Sequence, residues 1–141
     1  MSDIDWLGAG SEIKRLLEPL KPGGLRDVFL GTEMADVKNF GQLTPAVHIL
    51  YQGDRVGDGS QSGLASKTSQ SWLLVLAYRA TPGQPTAGVW LHKIMAAISG
   101  KPYENTTFTR VTPGARPSYS GGVAYLPLAF EVQLKFKGER S

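Results

Sequence analysis

The chain has 141 residues, no cysteine and a net charge of +3. This length suggests one domain, residues 1–141, with a core large enough to need no cross-links. The missing cysteines exclude a disulfide framework, a thiolate metal site and a thiol nucleophile. Lysine and arginine are spread along the chain, which is typical of a solvated surface and unlike the basic stripe of a dedicated nucleic-acid binder.

The N-terminal region predicts an amphipathic helix over residues 3–20. Ser2 or Asp3 can cap its start, because their side-chain oxygens accept hydrogen bonds from the first free N–H groups. Gly8 and Gly10 weaken its middle, each by about 1 kcal/mol relative to alanine. The predicted buried stripe follows helical spacing and consists of Ile4, Leu7, Ile13, Leu16, Leu17 and Leu20.

Three strands are predicted next, at residues 25–31, 45–52 and 71–80. The third is apolar on both faces, which indicates a position in the middle of a sheet. Residues 53–70, between the second and third strands, are rich in Gly, Ser, Asp, Gln and Lys. We expect a long central loop there, mobile in isolation and able to order on a partner. The alternative is a surface loop without a role, since loops tolerate insertions at little cost.

The C-terminal half predicts a helix at residues 87–99, a short strand at residues 108–112 and a long last strand. From Ala124 onward, apolar side chains alternate with mostly polar ones over about thirteen residues, well above the usual strand length of about 5–6. Pro127 lacks an N–H donor, so it requires a bulge, an edge or a strand start. This order of elements favours an α+β fold: a mostly antiparallel sheet with two main helices packed on one face.

No catalytic or metal-binding arrangement stands out in the sequence. His48 lies in a strand and His92 on a helix, and neither has a neighbour at metal-ligand spacing. The stretch from Asp54 to Gly59 is similar to a calcium loop, but Val56 and Ala65 stand where oxygen ligands are required. No phosphate-binding glycine motif is present either. We therefore expect no enzyme activity, no cofactor and no metal.

The layout of the chain resembles the tail terminator, or tail completion, proteins of tailed bacteriophages over residues 3–137. The resemblance is carried by the N-terminal helix and by four later stretches in a fixed order. These are PAVHILYQGDR, then SQSWLLVLAYRA after the Gly/Ser-rich segment, then AGVWLHKIMAAISG, then FTRVTPGARPSYSGGVAYLPLAFEVQLKFKGE.

The resemblance implies a structural, non-enzymatic protein that forms a hexameric ring. The ring caps the tail tube, ends tube growth and offers an attachment surface to the head–tail connector. Its implied partners are other copies of itself, the tail tube protein and the neck protein, while DNA passes through the lumen without sequence-specific binding. The implied location is the head-proximal end of the virion tail, after assembly in the host cytoplasm.

Four charged residues in the 53–70 segment are the candidates for contacts with neighbouring subunits or with the tube. They carry both signs of charge, which suits charge-assisted hydrogen bonds formed on docking: Asp54, Arg55, Asp58 and Lys67. The alternative function is a soluble monomeric binding module that uses a groove beside the same segment.

Overall fold

The computed structural model describes residues 5–31, 43–59, 63 and 65–138. Two α-helices are present in this part of the chain, α1 at Gly8–Leu17 and α2 at Ala87–Ile98. A 3-10 helix at Glu18–Gly23 extends α1. The strands of the same part are β1 Asp27–Leu30, β2 Ala46–Gly59, β3 Ala65–Tyr78, β4 Pro102–Tyr103, β5 Thr106–Thr107, β6 Thr109–Val111, β7 Ser118–Ser120 and β8 Val123–Lys137.

The main sheet has six strands in the order β1-β2-β3-β8-β6, with β7 also paired to β8. Strands β1 and β2 are parallel, and all other neighbours in the sheet are antiparallel. Strands β4 and β5 form a separate small hairpin. The predicted α+β class with a mostly antiparallel sheet is therefore confirmed. None of the helices in the described ranges is long and apolar enough to cross a membrane.

Both helices pack on one face of the sheet and form the larger core cluster with it. Helix α2 begins where the Thr86 hydroxyl accepts a hydrogen bond from the Val89 N–H at 3.4 Å, and it turns its buried residues toward the sheet. On the sheet side, alternate apolar residues of the strands point toward the helices and complete the cluster. Its main members are Ala9, Ile13, Leu17, Trp90, Ile94 and Ile98 from the helices, and Val47, Ile49, Trp72, Leu74, Leu76, Leu128, Phe130, Val132 and Leu134 from the strands.

The opposite face of the sheet is also apolar near its centre. This explains why residues 71–80 are apolar on both faces: the middle of β3 is covered on each side. Ala115 packs against this second cluster, which consists of Leu50, Leu73, Val75, Ala77, Val123 and Tyr125. The predicted central position of this strand is confirmed, since β3 lies between β2 and β8.

The prediction of a long loop at residues 53–70 is wrong. Strand β2 continues to Gly59 and β3 begins at Ala65, and the two pair in a long hairpin. Glycine, serine and aspartate have low intrinsic strand propensity, which led to the loop interpretation. Pairing along β8 overrides that propensity, because β3 bonds to it over the whole stretch from Ala65 to Tyr78.

The N-terminal helix is shorter than predicted. It begins at Gly8, where the Asp5 carboxylate accepts a hydrogen bond from the Leu7 N–H at 2.9 Å, and the capping candidates Ser2 and Asp3 lie outside the described residues. The α-helix ends at Leu17 because Pro19 enforces the change to 3-10 geometry.

Two irregularities in the sheet bear on the site. Pro127 sits between the parts of β8 that pair with β7 and with β6, which suits a residue without an N–H. The β2–β3 register shifts between Tyr51 and Gly53, and Gly53 takes a φ of 106° there. This β-bulge changes which side chains of β2 share a face beyond it.

Candidate functional site

The ends of three strands extend past the neighbouring strands β1 and β6 as a narrow sheet, which we call the arm: residues 53–59, 65–71 and 131–137. Strand β1 accompanies β2 only as far as Ile49, and β6 accompanies β8 only as far as Glu131. Within the described residues, no strand pairs with the outer edge of either β2 or β8 along the arm. The arm therefore has two open edges, and unpaired edges are templates for strand pairing.

A hydrogen-bonded network fixes the root of the arm on the helix side. The Asp54 carboxylate accepts hydrogen bonds from the Tyr51 hydroxyl and, at 3.0 Å, from the Trp6 indole. The Gln70 amide donates to the Trp6 carbonyl at 2.7 Å, and its oxygen accepts from the Trp72 indole at 2.8 Å. Gln70 is fully buried, and the network ties the segment before α1 to strands β2 and β3.

The phenol of Tyr51 stays a hydrogen-bond donor in this network. Two effects raise the pKa of Tyr51 to about 12: partial burial, which is the larger, and the hydrogen bond to Asp54. The bulge makes the contact possible, because it turns Asp54 to the same face as Tyr51. The Asp54 carboxylate thus accepts its hydrogen bonds from side chains of the same chain.

A groove of about 700 Å³ lies beyond the network on the same face of the arm. Its apolar part includes Leu134 and Phe136, and the Phe136 ring meets the Trp6 ring edge-on with centroids 6.1 Å apart. Asp5 and Glu104 add carboxylates; burial raises the pKa of Tyr103 and these two acids raise it further. The full lining is Asp5, Trp6, Asp54, Ser66, Thr68, Tyr103, Glu104, Asn105, Gln133, Leu134, Lys135, Phe136 and Lys137.

The opposite face of the arm is basic. Arg55 of β2 pairs with Ser69 of β3, and Lys67 lies two residues before Ser69 on β3. Alternate residues of a strand share a face, so Arg55 and Lys67 are on the same face of the arm. The Arg55 side chain is 78% exposed, and its guanidinium lies 4.0 Å from the Glu131 carboxylate. Lys135 and Lys137 of β8 share this face by their pairing with Lys67 and Ala65, and because β8 is an edge strand here they also border the groove.

The four predicted contact residues are therefore divided between two faces. Arg55 and Lys67 come together on the basic face, and Asp54 lies on the groove side within the network. The backbone of Asp58 belongs to β2, but its side chain lies outside the described residues. Sequence reasoning missed Trp6 and Gln70, for which no signal was available. It also missed Lys135 and Lys137, although the alternation of the last strand had already placed them on its polar face.

In the part of the chain that the structure describes, no three His, Asp or Glu side chains are grouped to hold a metal ion. His48 is buried against the Phe29 ring at 4.9 Å, and burial lowers the pKa of its imidazole to about 4. The features that remain are surfaces: two open edges, an acidic and aromatic groove and a basic face.

Comparison with known proteins identifies the protein family to which the chain belongs. No curated protein matches the chain. The family model described as phage tail terminator protein matches residues 3–140, nearly the whole sequence, and so agrees with the resemblance in layout. The chain therefore belongs to the phage tail terminator protein family and is a structural protein of the bacteriophage tail.

Proposed function

We propose that the protein forms a hexameric ring that caps the tail tube, ends its growth and offers a surface for the head–tail connector. The observation that supports this proposal is the arm with its two open edges. The β2 edge of one copy and the β8 edge of the next are different surfaces, so their pairing is a head-to-tail contact. Contacts of this kind close into rings when the rotation between copies allows it.

The contact residues fit this arrangement in different ways. Arg55 and Asp58 lie on the β2 edge strand, and we propose that they contact the neighbouring copy or the tube. Lys67 lies on the middle strand of the arm and contributes through the basic face. Asp54 acts indirectly, because it fixes the root of the arm through Tyr51 and Trp6.

The first test is electron microscopy of the protein alone and with purified tail tubes. Rings, or tubes that end in a cap, support the proposal. A variant that lacks residues 57–66 is expected to fold, because the core clusters lie outside this stretch, and to lose ring formation and capping. Capping by the shortened variant would contradict the role of the arm.

The second test uses the absence of native cysteine. Strands β2 and β8 are separated by β3, so their backbones are about 10 Å apart, beyond the reach of a disulfide within one arm. We expect the double variant Arg55→Cys with Gln133→Cys, or Gly57→Cys with Lys135→Cys, to form covalent ladders up to a closed ring on oxidation. Each single variant stops at the dimer and serves as the control. If the double variants cap tubes but form no covalent species larger than the dimer, the ring interface does not lie between the β2 and β8 edges.

The second candidate function is a monomeric binding module. The groove favours it, since apolar walls with carboxylates nearby suit a peptide segment that carries an apolar and a basic side chain. A monomer that ignores tubes but binds such a peptide supports this function, and Phe136→Ser should then weaken the binding. Phe136 is 49% exposed, so this change leaves the fold nearly unaffected.

A further inference from the structure

We propose that the basic face of the arm binds the sugar–phosphate backbone of double-stranded DNA without reading its sequence. This inference goes beyond the capping role and does not require it, because the face is complete within one copy of the chain. It rests on cations that lie far apart in sequence and meet through strand pairing. These cations are Arg55, Lys67, Lys135 and Lys137.

The strand register brings the four charges within a small area. Lys67 lies directly opposite Lys135, and Lys137 lies two residues further along β8, opposite Ala65. Neighbouring strands are about 4.8 Å apart and alternate residues about 6.7 Å apart. Each charge therefore lies within about one Debye length of its nearest neighbour at physiological salt, so the four form a continuous basic patch.

These lysines have no neutralising partner in the described part of the chain. The described ion pairs include none of Lys67, Lys135 or Lys137. Like charges directly opposite each other on a sheet face are destabilising. All three side chains are exposed, so the repulsion is screened, but a ligand that supplies negative charge would turn it into attraction.

The remaining residues of this face favour DNA over a protein partner. Among the described residues the face also holds Ser69, Ser71 and Gln133, one carboxylate at Glu131 beside Arg55, and no aromatic or large apolar side chain. Protein interfaces are built around aromatic and apolar anchors and are depleted in lysine. Lysine, serine and glutamine are typical donors to phosphate oxygens.

The same composition points to duplex DNA and to binding without sequence preference. Proteins that hold single strands stack the bases on aromatic side chains, and the described residues of this face provide none. Both helices lie on the other side of the sheet, so no helix can enter the major groove from this face. What remains is contact between a flat cationic sheet and the phosphates.

The test is the binding of a fluorescent 25-base-pair duplex, followed by anisotropy between about 20 and 150 mM salt. The arm variant replaces Lys67, Lys135 and Lys137 with glutamine. Each phosphate contact contributes about 0.9 to the slope of log K against log salt, so we expect the slope to fall by up to about 2.7. We also expect at least a tenfold loss of affinity at low salt.

The matched control replaces Lys14, Lys101 and Arg116 with glutamine, away from the arm. Both variants lower the net charge from +3 to 0, because each loses three positive charges. We expect the control to keep its affinity within about threefold. Equal losses in both variants, or none in either, would overturn the proposal.

Two further probes separate DNA from other polyanions. We expect the duplex to bind more tightly than single-stranded DNA of the same length, and the reverse order would refute the assignment to duplex. If the arm variant lost binding to poly-glutamate but not to DNA, the face would be a site for an acidic protein surface instead. Capping of tail tubes by the same variants is scored separately, so failure of one proposal leaves the other intact.

Discussion

The substitution Gln70→Met tests whether the polar network holds the arm to the core. Methionine has a similar volume and is apolar, so packing changes little while both hydrogen bonds of the side chain are lost. The Trp72 indole N–H, on a side chain that is 3% exposed, then has no acceptor. Leaving a buried donor unsatisfied costs about 1–3 kcal/mol, and losing the bond to the Trp6 carbonyl costs about 0.5–1.5 kcal/mol.

We therefore expect Gln70→Met to lower the free energy of unfolding by about 2–4 kcal/mol, from a total of about 5–15 kcal/mol for a protein of this kind. Equilibrium urea unfolding followed by tryptophan fluorescence is the assay, because Trp6 and Trp72 both belong to the network. The matched control is Gln133→Met, the same change at an exposed position of the adjacent strand, for which we expect less than about 0.5 kcal/mol. Equal midpoints for the two variants would refute this account of the network.

Three further predictions concern the glycines of α1, the buried His48 and the start of α2. A Cβ atom at Gly10 would lie 2.5 Å from the buried Trp72 ring, so Gly10→Ala should destabilise by about 1–2 kcal/mol despite its better helix propensity. At Gly8 the one close approach of the Cβ is to the movable Tyr103 hydroxyl, at 2.7 Å, and Gly8→Ala should be less costly in the same urea assay. The pKa of His48 is about 4 in the folded state against 6.5 when unfolded, so its stabilisation is complete above pH 6.5 and is lost as the pH falls toward 4. We expect the free energy of unfolding to be about 2 kcal/mol lower at pH 5 than at pH 7. The His48→Gln variant should lose this pH dependence, and a variant with the same pH profile as the parent protein would contradict the prediction. Thr86→Ala should cost about 0.5–1 kcal/mol by removing the cap of α2, whereas Thr86→Ser should retain stability if the hydroxyl is what matters.

The parts of the fold that were predictable are those where apolar spacing is strong. The alternation that begins at Ala124 gave the position and faces of β8, and the apolar run around Leu74 gave the central strand. These signals arise because each face of the sheet must be either buried or solvated along its whole length. The same reasoning located α2 to within one residue of its observed end at Ile98.

The arm could not be predicted from its own residues. Between Gly53 and Gln70 the local preference is for turns, and the strands exist because β8 supplies a backbone partner along their length. The site depends on this pairing even more strongly. Lys67 and Lys135 are separated by much of the chain, and only the register makes them neighbours. Helix propensity likewise does not explain why a glycine stands at position 10. Gly10 lets α1 approach Trp72 closely, and only the packing of α1 on the sheet shows this.

The bulge after Tyr51 also determines how charge is sorted on β2. With regular alternation, the side chain of Asp54 would lie with the lysines and that of Arg55 would lie in the acidic groove. The extra residue at this point exchanges the two, so that the acid joins the groove and the arginine joins the cations. Straightening the strand with Gln52 retained would therefore invert the faces of Asp54 and Arg55, whereas deleting Gln52 would remove the bulge and leave both side chains on their present faces. A single backbone irregularity thus places each of these two charges of β2 on the face that already carries its sign.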